Sequence, residues 1–140
     1  MHQVYLGLGS NLGDRETTIQ EAVKLIDERV GHVARRSSLI ETEPWGFQSE
    51  NKFLNAVILC ETSLTPRQVL TVTQKIEREL GKRKAHATER RQTTKFKDRP
   101  IDIDILLYDD LKVDEPDLNI PHPLMHERDF VMQPLNEIRD

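Results

Sequence analysis

Cysteine is all but missing: Cys60 is the single one in 140 residues. One thiol makes no intramolecular disulfide and no cysteine-built zinc site. Its place in the apolar run Ala56-Val-Ile-Leu-Cys60 marks it as a core residue. Long apolar stretches are also lacking, since no run approaches the roughly 18 residues of a membrane span. Met-His-Gln-Val leads directly into a strand pattern rather than a signal peptide. These absences set the expectation of a cytoplasmic protein with no membrane partner. There is no internal repeat and no linker, so residues 1–140 are expected to form a single domain, long enough to bury a real core. Familiar nucleotide loops are missing as well. The glycines at 7, 9 and 13 are spaced one residue too widely for a dinucleotide fingerprint, and no Gly-Lys-Ser/Thr follows them.

What the chain has in quantity is charge, 31% of its residues, unevenly placed. Eight Lys or Arg against Glu89 and Asp98 give the stretch Lys82–Arg99 a charge of +6, leaving −10 for the rest of a chain whose net charge is −4. A basic segment next to acids suits an anionic ligand that arrives with metal; a solvated loop or a nucleic-acid contact would look similar.

The apolar pattern sets the element order. Residues 2–8 read as a strand and Gly9–Gly13 as a turn. Asp14 caps a helix whose apolar face is Ile19, Ala22, Val23, Ile26 and Val30, with Gly31 as its stop. A polar second strand is expected over about His32 to Glu43, and a third over Phe53–Cys60. Between them Pro44–Asn51 has loop composition and carries the lone Trp, either a packing anchor or a ligand-facing ring. Thr65-Pro66 opens a second helix that buries Val69, Val72, Ile76 and Leu80 and closes at Gly81. Gln74 and Glu77 lie off its apolar stripe and read as surface residues. After Asp110 the pattern weakens: residues 112–121 read as a loop or short edge strand, and His122–Phe130 leads into a short helical or extended piece. His122 and His126 are four apart, but Pro123 lies between them and no third ligand stands out, so a zinc site is weakly supported.

The most informative stretch is Ile101-Asp-Ile-Asp-Ile105. Alternation at period 2 makes it a strand, with both carboxylates on one face and the isoleucines on the other. Asp is depleted in strands. A pair of Mg²⁺ ions clamping phosphoryl oxygens would account for two of them; so would two solvated acids beside Arg or Lys. The order β-α-β-β-α-β matches the split βαβ arrangement, an α+β, ferredoxin-like βαββαβ core with a mainly antiparallel sheet and two helices on one face.

Seven segments in this order resemble one family, 6-hydroxymethyl-7,8-dihydropterin pyrophosphokinase of folate biosynthesis. They are Gly7-Leu-Gly-Ser-Asn-Leu-Gly13-Asp, Glu41-Thr-Glu-Pro-Trp-Gly46, Phe53-Leu-Asn-Ala56, Gln74-Lys-Ile-Glu77, Arg99-Pro-Ile-Asp-Ile-Asp104-Ile-Leu, Ile120-Pro-His122-Pro and Arg128-Asp-Phe130-Val, with Pro134-Leu at the end. The resemblance implies transfer of pyrophosphate from ATP to the hydroxymethyl oxygen of the pterin, releasing AMP. By position it implies two Mg²⁺ held by Asp102 and Asp104, with Arg99 also in the catalytic group. It places the pterin among Thr42, Pro44, Trp45, Phe53, Asn55, Arg128 and Phe130. Around ATP it places Leu70, Gln74, Glu77, Arg83, Arg91, Phe96, Arg99, Ile105 and His122, which overturns the surface reading of Gln74 and Glu77. It further implies a monomer whose partners are these two small molecules, with no nucleic acid. The loops 44–51 and 82–98 are expected to be mobile until both ligands bind.

Departures from the family pattern gather just before the acidic pair, where Phe96-Lys-Asp-Arg99 replaces the usual Trp-Gly-Pro-Arg and the segment after Gly81 is longer. Asp117 and Asn119 stand where an Arg and a Thr are common. The end at Asp140 implies a C-terminal helix that is shortened or absent. The competing reading is an RNA-binding ferredoxin-like module using the basic loop. Against it, the expected sheet lacks paired stacking aromatics and two exposed Asp would repel phosphate.

Overall fold

The computed structural model describes residues 1–43, 52–85 (without the side chains of 82–85) and 100–139. The elements run β1 (His2–Ser10), α1 (Arg15–Arg29), β2 (Gly31–Arg36), β3 (Ile40–Thr42), β4 (Phe53–Thr62), α2 (Pro66–Ala85), β5 (Asp102–Tyr108), β6 (Val113–Glu115), β7 (Leu118–Ile120), a 3-10 turn (Met125–Glu127) and α3 (Asp129–Ile138). The main sheet has the order β2-β4-β1-β5 with every pairing antiparallel, and β3 extends the β2 edge of β4. This is the expected ferredoxin-like α+β core. β6 and β7 form a separate hairpin.

Strand alternation builds two cores. Val4, Leu6, Leu8, Ile58, Cys60, Ile101, Ile103 and Ile105 face α1 and α2, meeting Ile19, Ile26, Val69, Ile76 and Leu80. Val57, Leu59 and Leu106 face the other way, onto Met125, Val131, Leu135 and Ile138. Side chains this well buried each contribute roughly 1.5–3 kcal/mol, which is why both faces of the sheet are covered. Desolvation pushes the Cys60 thiol up to about 12, as expected of a core cysteine.

Both long helices begin as their caps require. Asp14 accepts from the N–H of Thr17 at 3.2 Å and from its hydroxyl at 2.9 Å. Thr65 and Gln68 exchange backbone and side-chain bonds reciprocally at 3.2 and 2.9 Å, a capping box ahead of Pro66.

Three expectations change. α2 does not close at Gly81 but continues to Ala85. An interior Gly costs only about 1 kcal/mol, and the Lys-Arg-Lys-Ala that follows favours helix. The single strand expected over 32–43 is two, broken where the Ser37 hydroxyl accepts the Val57 N–H at 2.9 Å while Ser37 donates its own N–H to the Val57 carbonyl. A serine side chain competes with the ladder in this way. Gly9 and Ser10 belong to β1 rather than to a turn. The short helical or extended piece expected at the C-terminal end is helical: α3 is ten residues long and covers the sheet face opposite α1 and α2. Arg35 donates to the Ile138 carbonyl at 2.8 Å, and Ser38 donates twice to Glu137 at 2.7 and 2.8 Å, tying α3 to the break between β2 and β3.

Candidate active site

A cavity of about 310 Å³ opens on the α3 side of the sheet. Its floor is set by strand register. Gly9 in β1 stands opposite Asn55 in β4 on one side and Asp102 in β5 on the other; one step along, Gly7 stands opposite Val57 and Asp104. Two rows, Asn55–Gly9–Asp102 and Val57–Gly7–Asp104, therefore cross the cavity. Each has a glycine between a β4 side chain and a carboxylate. With strands about 4.8 Å apart, Asn55 and Asp102 stand on strands roughly 10 Å apart, and Gly9 between them contributes no side chain. The gap is tight: a Cβ on Gly9 would lie 3.0 Å from Asn55 Oδ1 and 3.5 Å from Phe53.

On the β4 side of the gap, Asn55 is 5% exposed and donates from Nδ2 to Thr42 Oγ1 at 2.7 Å. That bond orients the amide so that Oδ1 lies over Gly9. Phe53 and Phe130 both line the cavity, and the Arg128 guanidinium sits 5.6 Å from the Phe130 ring centroid, a cation–π contact. Arg128 is 8% exposed, an expensive position for a guanidinium unless an anion or ring faces it.

On the β5 side, Asp102 and Asp104 are half-buried and line the cavity. His122 closes that end. Its backbone N–H donates to the Leu106 carbonyl at 3.0 Å, and its Nδ1 accepts the Leu124 N–H at 3.2 Å, which leaves Nε2 as the ring's donor. Among the described residues no group of three His, Cys, Asp or Glu could hold a metal ion. The zinc reading of His122 and His126 therefore finds no support. Two carboxylate donors alone are the set expected for Mg²⁺, which keeps waters and takes its remaining oxygens from substrate phosphates.

Of the residues proposed from the sequence, Thr42, Phe53, Asn55, Asp102, Asp104, His122, Arg128 and Phe130 meet in this cavity. Leu70, Gln74, Glu77 and Ile105 do not line it. Ile105 is buried on the opposite face of the sheet, whereas Leu70, Gln74 and Glu77 share one face of α2. Glu77 accepts the Ile103 N–H at 2.8 Å, so it is bound to the acidic strand rather than being a plain surface residue. Pro44, Trp45, Arg91, Phe96 and Arg99, the Arg83 side chain, the expected mobile loop 44–51 and residues 86–98 of the second lie outside the described residues, while residues 82–85 of that second stretch are the end of α2 rather than loop. Asp117 is paired with Arg67 of α2 at 2.8 Å, and that hydrogen bond holds its carboxyl below the usual range. Gly7 and Gly9 were missed as site residues. Their period-2 spacing within a strand pattern was the available signal.

The fold and its cleft define a ferredoxin-like α+β enzyme domain whose floor sets a polar amide against paired carboxylates. The model of the 7,8-dihydro-6-hydroxymethylpterin-pyrophosphokinase family matches residues 5–140. A Porphyromonas gingivalis protein called 2-amino-4-hydroxy-6-hydroxymethyldihydropteridine pyrophosphokinase is 48% identical over 136 residues, 96% of this chain and 89% of that one. The Bacillus subtilis protein of the same name is 41% identical over 135 residues, covering 96% of this chain and 76% of its own. Among solved structures, wild-type Plasmodium falciparum HPPK-DHPS superimposes with a TM-score of 0.70 at 17% identity; the match covers 97% of this chain but 41% of that longer one, and speaks to the fold. The chain belongs to the 7,8-dihydro-6-hydroxymethylpterin-pyrophosphokinase family, and it is a pterin pyrophosphokinase of folate synthesis.

Proposed function

We propose that residues 1–140 form one catalytic domain that moves the β,γ-pyrophosphoryl group of ATP onto the hydroxymethyl oxygen of 6-hydroxymethyl-7,8-dihydropterin. The observation that carries this reading is the row Asn55–Gly9–Asp102, which sets an amide suited to a heterocycle edge across an open gap from a carboxylate. In the reaction the hydroxymethyl oxygen bonds to Pβ, the bond from Pβ to the α,β-bridging oxygen breaks, and AMP leaves with that oxygen.

Phe53 and Phe130 would hold the pterin ring by its faces, an interaction of about 0.5–1.5 kcal/mol beyond burial. Thr42 and Asn55, with Pro44 and Trp45 from the neighbouring loop, would hold its hydrogen-bonding edge. The hydroxymethyl arm then points over Gly9 toward Asp102. Two Mg²⁺ arriving with the triphosphate would be held by Asp102 and Asp104, neutralising phosphate charge and acidifying the attacking hydroxyl. Phosphoryl transfer depends chiefly on positioning and charge, so none of the residues here has to act as a dedicated base. His122 Nε2–H and the guanidinium of Arg128 are donors suited to phosphate oxygens, with Arg83, Arg91 and Arg99 as further cations. Leu70, Gln74 and Phe96 would surround the nucleotide, with Glu77 beside β5 and Ile105 packed in the core beneath it.

Incubation with ATP, Mg²⁺ and the pterin should release AMP; ADP as the sole nucleotide product would overturn the reading. Asp102→Asn and Asp104→Asn should each lower kcat at least about 10²-fold, the scale of losing one electrostatic stabiliser, with circular dichroism unchanged. Near-normal rates in both would remove the metal assignment.

A further inference from the structure

β5 is an edge strand. One side pairs with β1, and among the described residues no strand pairs with the other. Backbone groups of successive residues in an antiparallel strand point to opposite edges. The Ile103 N–H is donated to Glu77 Oε2 at 2.8 Å, so it faces the open edge, while Asp102 and Asp104 lie opposite Gly9 and Gly7 on the paired side. The peptide thus held sits between the two carboxylates. Ile103 itself is 6% exposed, packed under α2.

An edge N–H left to water allows a strand to twist and fray, and here fraying would swing both carboxylates at once. Glu77 belongs to no group of three candidate metal ligands among the described residues. Its Oε2 accepts a backbone N–H of the acidic strand.

We propose that Glu77 is a positioning residue, which fixes the acidic strand through the Ile103 N–H and so presets the separation of Asp102 and Asp104 for a phosphate-bound divalent cation. This rests on the metal role given to those two residues above, and it assigns Glu77 a bond to the strand in place of direct contact with nucleotide. What matters is then an acceptor oxygen at the right reach, not negative charge.

Three variants separate these possibilities. Glu77→Gln keeps the reach and an acceptor oxygen without charge. Glu77→Asp keeps charge but withdraws it by one methylene, and Glu77→Ala removes both. The first readout is hydrogen exchange of the Ile103 amide by NMR, with the Leu6 and Ile58 amides reporting global stability. Ile103 should be protected in the wild type and in Glu77→Gln but exchange faster in Glu77→Asp and Glu77→Ala. The second is Mn²⁺ affinity in the presence of α,β-methylene-ATP, by calorimetry. It should fall about 10-fold or more in the Asp and Ala variants, the usual effect of losing a group that orients a metal ligand. It should stay within about 3-fold in Glu77→Gln, because a neutral acceptor retains roughly half the strength of a charged one.

If Glu77→Asp keeps affinity and Glu77→Gln loses it, charge is the operative property and the proposal fails. Unchanged Ile103 exchange in Glu77→Ala would overturn it equally. Should the alanine variant not fold, the Gln and Asp pair decides the matter. If the wild type instead bound no Mn²⁺ with the nucleotide, the metal reading would fail while the exchange data still tested the strand anchor.

Discussion

Gly9→Ala adds one methyl at the centre of the cavity floor. The backbone of Gly9 needs no left-handed conformation, so the effect comes from the Cβ alone. At 3.0 Å from Asn55 Oδ1 the new carbon is closer than ordinary contact, and Asn55 must retreat by a few tenths of an ångström. It is poorly free to do so, being 5% exposed and bonded to Thr42 at 2.7 Å. A displaced Oδ1 gives up a ligand hydrogen bond worth about 0.5–1.5 kcal/mol and leaves a buried acceptor imperfectly satisfied at a further 1 kcal/mol or so. The sum is about 2 kcal/mol, or roughly 30-fold in pterin Kd. Stability should scarcely move, because the restriction of the unfolded chain by alanine, worth about 0.4–1 kcal/mol, opposes the crowding. Calorimetric titration with the hydroxymethylpterin, and separately with Mg²⁺ and α,β-methylene-ATP, measures both arms. Pterin affinity should drop while nucleotide affinity stays within about 3-fold, less than 1 kcal/mol. Unaltered pterin affinity, or an equal loss for both ligands, would refute the assignment of the glycine gap to the pterin.

Gly31→Ala should damage the fold rather than the site. Its Cβ would fall 2.0 Å from the Glu61 carbonyl oxygen and 2.9 Å from the Thr62 Cα, backbone atoms that move only with β4. Urea unfolding should show a loss of about 3 kcal/mol, the upper end of overpacking costs, and a loss below about 1 kcal/mol would contradict the β2–β4 packing described above. Asp109 sits at φ +50° and accepts the Gln3 N–H and the His2 ring at 2.7 Å each, bonds that lower its carboxyl pKa and join the end of β5 to the start of β1. A depressed carboxylate stabilises above its unfolded pKa, and that contribution is lost as pH falls through the folded value. Asn tolerates the same backbone conformation, so the stability difference between wild type and Asp109→Asn should be present at pH 6 and shrink below about pH 4. Because the side chain is 38% exposed, solvent screening keeps the difference below about 1 kcal/mol. A difference independent of pH in urea titrations would show that the carboxylate is not the latch.

Much of the site is legible in the amino-acid sequence. Asp102 and Asp104 alternate with isoleucines, and alternation fixes which side chains share a face whatever the partner strand. Asn55 interrupts an apolar run, which marks it as polar and buried. The basic stretch before Arg99 is legible as a charge but not as a shape. Gln74 and Glu77 illustrate the opposite limit. Helical periodicity assigns them to the solvent side of α2, and nothing local to Glu77 indicates that its carboxylate ends on a backbone N–H of β5.

By itself the sequence determined what depends on near neighbours along the chain. That includes the caps at Asp14 and Thr65, the two-sided pattern of β1, β4 and β5, the order of the elements and hence the ferredoxin-like class. Tertiary structure alone decided what depends on pairing between distant segments. Gly9 came to stand between Asn55 and Asp102, Ser37 split one expected strand in two, and α3 was laid on the face that carries the carboxylates. The physical reason is register. A one-residue slip of β1 against β5 leaves every local propensity unchanged, yet it turns Leu8 toward the aspartates and fills the gap that the glycines keep open.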